Sequence, residues 1–179
     1  LQLQQQTKAV TPYQKQMMIG GTTPINEKWQ IGADLNLTNV EAVPAIPSIN
    51  FEGFPSTGNL WSLGTQLIGS NLYSEKDTHV FVVTYLKGPT YNGMQMSYNN
   101  MTGLTDGWRV EPSLRYYQQS DQSGSKLKRW SPGLRVSYRY QQSTTIESEL
   151  TYESTKRTGL RTSNSSDRIS YFLGARYDF

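Results

Sequence analysis

The fold is decided by the last thirteen residues, Asp167-Arg168-Ile169-Ser170-Tyr171-Phe172-Leu173-Gly174-Ala175-Arg176-Tyr177-Asp178-Phe179. The odd positions from 169 carry Ile169, Tyr171, Leu173, Ala175, Tyr177 and Phe179, and the even ones carry Arg168, Ser170, Phe172, Gly174, Arg176 and Asp178. Successive side chains of a β-strand point to opposite faces, so this stretch predicts a strand with one greasy and one mainly polar face.

Working back from it, the pattern repeats. Ile146, Ser148, Leu150 and Tyr152 share one face against Glu147, Glu149, Thr151 and Glu153. Trp130, Leu134, Val136, Tyr138 and Tyr140 alternate with Arg129, Gly133, Arg135, Ser137 and Arg139, and Pro132 in the apolar row predicts a bulge or an irregular rung. Trp108, Val110, Leu114 and Tyr116 alternate with Arg109, Glu111, Ser113 and Arg115. Further back come Met94 to Tyr98, Trp61 to Leu67 and Trp29 to Leu37, each with the same period, and a strand over 12–21 around Met17 and Ile19. The stretch 77–87 is apolar at both parities, so its facing stays open. Residues 1–10 form a weak tenth candidate. Most of these strands run for about 10 to 13 residues, against about 5 to 6 in ordinary globular sheets and about 9 to 11 for a tilted membrane-crossing strand.

Composition agrees. The 179 residues predict a single domain, 1–179, or a portion of one larger domain. Aromatics reach 12% with 12 tyrosines, while alanine occurs five times, a balance that suits strands better than helices. The longest strictly apolar run, Val80 to Val83, is far below the ~20 residues of a membrane helix. A mean hydropathy of −0.62 leaves a membrane barrel open, because alternating strands cancel in any average. A net charge of +3 without a dense basic run gives no case for nucleic acid. With no cysteine and one histidine, the chain offers no thiolate site and no multi-histidine metal site.

Connections and charge carry the reading further. The links alternate between 157–167, 119–126, 88–90 and 39–58 on one side and the shorter 142–144, 100–106, 71–76 and 22–27 on the other. Outer-membrane barrels divide their loops in this way. The polar rows place Arg129, Arg135 and Arg139 beside Glu147, Glu149 and Glu153, and these beside Arg168 and Arg176. Such a plus–minus–plus ladder fits the inner wall of a barrel, with Arg109, Glu111 and Arg115 completing the lumen-lining set. A solvated face of a soluble β-sandwich or ligand-binding barrel is the competing reading.

The tail resembles the C-terminal assembly signal of Gram-negative outer-membrane β-barrel proteins, carried by Gly174, Tyr177 and Phe179. The resemblance implies an all-β, antiparallel transmembrane β-barrel of the porin-like kind in the bacterial outer membrane, with its C-terminus on the periplasmic side. It has about ten strands, or is the C-terminal part of a larger barrel. The resemblance also implies contact with outer-membrane lipid and lipopolysaccharide, and recognition by the barrel assembly machinery.

No residue set predicts catalysis or a cofactor. His79 is the only histidine base on offer, and no serine stands two residues from it. The glutamates lie among arginines and read as wall charges. The 39–58 connection, with Pro44, Pro47, Phe51, Phe54 and Pro55, is a candidate constriction loop, an outward binding surface or a self-packed loop. The leading expectation is all or part of a transport or secretion pore with an Arg-rich lumen, with other envelope or secretion components as candidate partners. The alternative is a small closed barrel acting as an anchor or adhesin through its outer loops.

Overall fold

The computed structural model describes residues 12–47, 50–104, 107–140 and 143–177. They form nine antiparallel strands: β1 (Gln14–Pro24), β2 (Trp29–Val40), β3 (Gly58–Ser70), β4 (Asp77–Lys87), β5 (Tyr91–Gly103), β6 (Trp108–Asp121), β7 (Lys126–Tyr140), β8 (Thr144–Thr158) and β9 (Ser163–Tyr177). Each strand pairs with its sequence neighbours only, giving one sheet in chain order. The weak tenth strand at 1–10 lies outside the described residues.

Register settles which side chains share a face. Ile31, Leu67, Phe81, Tyr98, Leu114 and Pro132 are successive cross-strand partners from β2 to β7, and Leu134, Leu150 and Tyr171 continue the same face to β9. The apolar rows of all nine strands therefore coincide. The other face carries the polar rows, as in Ser97–Arg115–Ser131 and Glu153–Arg168. The open facing of 77–87 is settled too, with His79, Phe81, Val83 and Tyr85 in the apolar row and Val80, Val82 and Leu86 in the other.

Most large side chains of the apolar face remain exposed, among them Ile31, Phe81, Leu134, Leu150 and Ile169. Among the described residues no second layer covers them. The polar face is concave, because residues from β4 to β8 line a common groove there of about 280 Å³, including Thr78, Asn99, Arg115, Arg135 and Glu149.

Pro132 leaves an irregular rung without a bulge. The β7–β8 ladder skips from Trp130–Ser154 to Gly133–Thr151, and the register is the same on both sides of the gap. A missing N–H removes a rung while the chain stays in step.

Connections 25–28, 71–76, 104–107 and 141–143 lie at one end of the sheet, and 41–57, 88–90, 122–125 and 159–162 at the other. The expected long link 157–167 contracts to four residues. Ser163 to Asp167 pair instead with Thr158 to Ser154, since a backbone ladder needs no apolar side chains. The asymmetry between the two ends thus rests on 41–57 alone.

Among the described residues, β1 and β9 each have one free edge, and the sheet does not close on itself. Both edge strands run in the same direction. Direct pairing of β1 with β9 would make a parallel seam, so a fully antiparallel cylinder takes an odd number of further strands.

The register is directly testable because the chain has no native cysteine. Leu134→Cys with Leu150→Cys is expected to form a disulfide on mild oxidation. Leu134→Cys with Glu149→Cys, one residue out of step, is not. Equal cross-linking of the two pairs would refute the assignment of faces.

Candidate functional site: the charged face of β6 to β9

The charged positions predicted from the sequence all fall on the concave face. Arg109, Glu111 and Arg115 come from β6; Arg129, Arg135 and Arg139 from β7; Glu147, Glu149 and Glu153 from β8; Arg168 and Arg176 from β9. Alternation puts each on that face, and antiparallel pairing brings the rows side by side.

Arg135 is the centre of the array. Its guanidinium pairs with Glu147 across β8 and reaches Glu111 across β6 at 4.0 Å. Arg109 lies 3.8 Å from Glu111 on the same strand. Glu153 faces Arg168 in register yet forms its ion pair with Arg129, at 3.8 Å. Arg115 and Arg168 make no ion pair among the described residues. At the short-turn end Arg139 and Arg176 flank Thr145 from either side. A groove of about 830 Å³ opens there, bordered by Arg109, Glu111, Arg135, Arg139, Glu147 and Arg176.

The same face of β1 to β5 differs. Its row carries one formal charge, Asp34, amid glycine, amide, hydroxyl and aliphatic side chains. Asp34 stands between Gly20 and Gly64, and a Cβ at Gly64 would lie 2.4 Å from its carboxylate. The concave surface is thus divided into a charged half and a nearly neutral half. Sequence reading found the charges but not this division, which depends on the facing of β4.

The positions of the predicted assembly signal separate. Tyr177 lies in the apolar row opposite Thr144, and Gly174 in the charged row opposite Glu147. Phe179 lies outside the described residues.

The candidate constriction loop closes on itself. Val43 pairs with Phe54 and Ile46 with Phe51, and the rings of Phe51 and Phe54 meet edge to face at 5.5 Å. Pro44 and Pro47 punctuate one arm of this small hairpin and Pro55 the other. Gly53 turns with φ of 77°, and a Cβ there would press on the Val43 carbonyl oxygen at 2.4 Å. Val43 is buried, whereas Phe54 stays 62% exposed.

Sequence reading missed one buried polar cluster, at the short-turn end of the apolar row. The Asp77 carboxylate accepts backbone N–H bonds from Leu72, Tyr73 and Ser74 at 2.7, 2.6 and 2.9 Å. Beside it His79 Nε2 is 3.6 Å from Asp77 Oδ2, and His79 Nδ1 is 2.9 Å from the Tyr98 hydroxyl. Asn100 Nδ2 donates to the Thr78 carbonyl and contacts the imidazole, while Thr102 donates to Asn100 Oδ1. Asp77, His79 and Asn100 are all buried. The signal available in sequence was Asp77 itself, a carboxylate three residues after Ser74 at a turn.

No family model and no curated sequence matches the chain. Among solved structures, it is similar to OmpT (in-vitro folded), an outer membrane protein of Vibrio cholerae, in its trimer form, with a TM-score of 0.58 and 12% identity over 95% of this chain and 57% of that one. The likeness is one of fold, an antiparallel sheet in chain order like part of a β-barrel. A second structure of the same protein gives a TM-score of 0.58 at 13% identity, covering 95% and 56%. A KdgM porin in complex with disordered oligogalacturonate gives a TM-score of 0.38 at 11% identity, covering 94% and 98%. The chain spans little more than half the length of the OmpT structures it resembles.

The Asp77 clip yields a prediction. Asp77→Ala should raise amide hydrogen exchange at Leu72, Tyr73 and Ser74 by about tenfold or more, while the β7–β8 amides keep their protection. Unchanged exchange in the turn would show that the clip is not what holds it.

Proposed function

We propose that the chain forms part of the wall of an outer-membrane pore, with the charged face lining a water-filled lumen that favours anions. The supporting observation is the coincidence of rows. Nine strands of 11 to 15 residues keep an exposed apolar face on one side and thirteen of the seventeen charged residues of β6 to β9 on the concave other. In hydrocarbon, an apolar exterior and a closed backbone ladder satisfy side chains and peptide groups together. In water the same apolar face would be a liability, being much larger than a soluble monomer tolerates.

The Arg135 cluster is exposed to the groove on one side, so its ion pairs add little stability. Their effect is a fixed field. Eight arginines, with Arg157 included, against four glutamates and Asp121 leave the charged half net positive, which attracts anions and disfavours cations. Arg115 and Arg168, without carboxylate partners within the described residues, contribute most directly to that bias. The cylinder is completed by further strands between β9 and β1, consistent with an open sheet whose edges run parallel. Bacterial outer-membrane location, transport and the absence of catalysis all belong to this reading, with His79 serving the turn clip instead of acting as a base.

Two measurements test it. In planar bilayers with asymmetric KCl, the complete channel should show an anion-selective reversal potential, and Arg115→Glu with Arg168→Glu should move it toward cation selectivity. Cation selectivity in the parent channel would overturn the lumen assignment. In lipid, Leu150→Arg should cost about 2–4 kcal/mol of folding stability and Thr151→Arg, on the opposite face, about 0–1 kcal/mol. Equal costs would overturn the orientation of the faces.

A further inference from the structure

Four charged side chains line the groove of about 280 Å³ on the concave face, Glu111, Arg115, Arg135 and Glu149, and they are not all spoken for. Arg135 pairs with Glu147 and reaches Glu111 at 4.0 Å. Glu149 stands directly opposite Arg135 in register, yet that guanidinium is turned to Glu147. Glu149 makes no ion pair among the described residues, and the Thr151 hydroxyl donates to it at a long 3.4 Å. Arg115 is flanked in register by Ser97 and Ser131 and likewise has no carboxylate partner among the described residues. One cation and one anion, both exposed, are thus left open on the same groove.

Between these two charges the wall is low. Ser113 and Gly133 are cross-strand partners there, and a Cβ on Gly133 would lie 2.7 Å from Ser113 Oγ. Four residues along and two strands across set the Arg115 and Glu149 Cα atoms about 16 Å apart, and both side chains line the space between. The neutral flank comes from β4 and β5, where Val80 faces Asn99 and Thr78 faces Met101. The volume lies just below the ~300 Å³ at which clefts begin to hold drug-sized ligands, so the groove suits a small molecule. A simple anion there would satisfy Arg115 and meet Glu149 as a like charge, and a simple cation would do the reverse. A molecule that carries both charges on one carbon, with an apolar group toward Val80 and Met101, satisfies both ends at once.

We propose that this groove is a binding site for a zwitterionic solute, an α-amino acid with an apolar side chain, whose carboxylate is held by Arg115 and whose ammonium is held by Glu149. The site rests on the lumen reading above and deepens it, naming a solute class that net charge alone would not select. Each contact is charge-assisted, and the open groove keeps each weaker than in a sealed pocket. Arg168, the other arginine without a carboxylate partner, faces Glu153 in register and lies outside this groove. It therefore separates the two properties, adding to the anion bias of the wall and not to the site.

The test uses the complete channel in planar bilayers, with its reversal potential in asymmetric KCl read first. Occlusion of the single-channel current is then titrated with L-leucine, with 4-methylpentanoate, which lacks the ammonium, and with 3-methylbutylamine, which lacks the carboxylate. Leucine should occlude at about tenfold lower concentration than either analogue. E149Q and R115Q should each raise the leucine concentration required by about tenfold, and E149Q should leave 4-methylpentanoate no weaker. R168Q should lower the anion selectivity and shift leucine by less than about twofold. Equal occlusion by leucine and 4-methylpentanoate overturns the site and leaves an anion-selective wall, as does leucine occlusion unchanged in E149Q. Should R115Q fail to insert, E149Q decides alone. A parent channel that is cation-selective or does not conduct overturns the lumen reading, and this site with it.

Discussion

Register is the constraint on which the rest of this structure depends. Because side chains alternate strictly along a strand, a slip of one residue between any two neighbours would carry a whole row to the opposite face. Here a slip between β7 and β8 would set Arg135 against Leu150 instead of Glu149. The prolines show how firmly the step is held. Pro112 and Pro132 each remove a backbone donor near the middle of the sheet, and the pairing on both sides of each gap stays in phase. Burial of a core cannot enforce this, since Val43, in a loop, is the one buried aliphatic residue among those described. The specification comes from the environment that each face is suited to meet.

The concave face follows from that register. Arg135 gathers Glu111 and Glu147 from the two flanking strands, and Arg129 takes Glu153. In such exposed geometry each pair contributes roughly 0 to 1 kcal/mol. Their arrangement matters more as a field. Apart from Asp34 on β2, the charge of this face lies on β6 to β9, and the corresponding row of β3 and β4 presents Ile68, Val80 and Val82. A solute sliding along this wall would meet fixed charges on one flank and neutral surface on the other. Such a surface can select by the sidedness of a solute as well as by its total charge.

The period-two rows from Trp108 onward were legible in the sequence, and with them the charged face, because those strands separate polar from apolar residues cleanly. The stretch 77–87 was not, since Val80, Val82 and Leu86 make both its faces apolar; only pairing with β3 and β5 decides its facing. The 157–167 link looked like a loop because Ser163 to Asp167 are all polar, yet their backbone groups complete the β8–β9 ladder. The His79 cluster was invisible for a different reason. His79 and Tyr98, or Asp77 and Thr102, lie about twenty residues apart and meet only through the β4–β5 register, which a single strand pattern does not contain. The 41–57 loop showed its hydrophobic content but not that Val43, Ile46, Phe51 and Phe54 would satisfy one another.

The apolar row ends in unlike chemistry at its two edges, and this difference follows from how each end treats charge. At the short-turn end the Asp77 carboxylate is enclosed by backbone donors, with His79, Tyr98, Asn100 and Thr102 satisfying one another around it. No polar side-chain atom buried among the described residues is left without a partner. At the long-loop end Lys126, Lys128 and Lys156 make no ion pair among the described residues, and Trp130 packs on Tyr116 in the same row. A closed network needs nothing from its surroundings, whereas an uncompensated cationic cluster is stable only beside solvent or an anion. A sheet placed between two identical boundaries gains nothing from ending its rows so differently. One placed across a bilayer whose two leaflets differ in charge does, because each rim then matches the layer it meets.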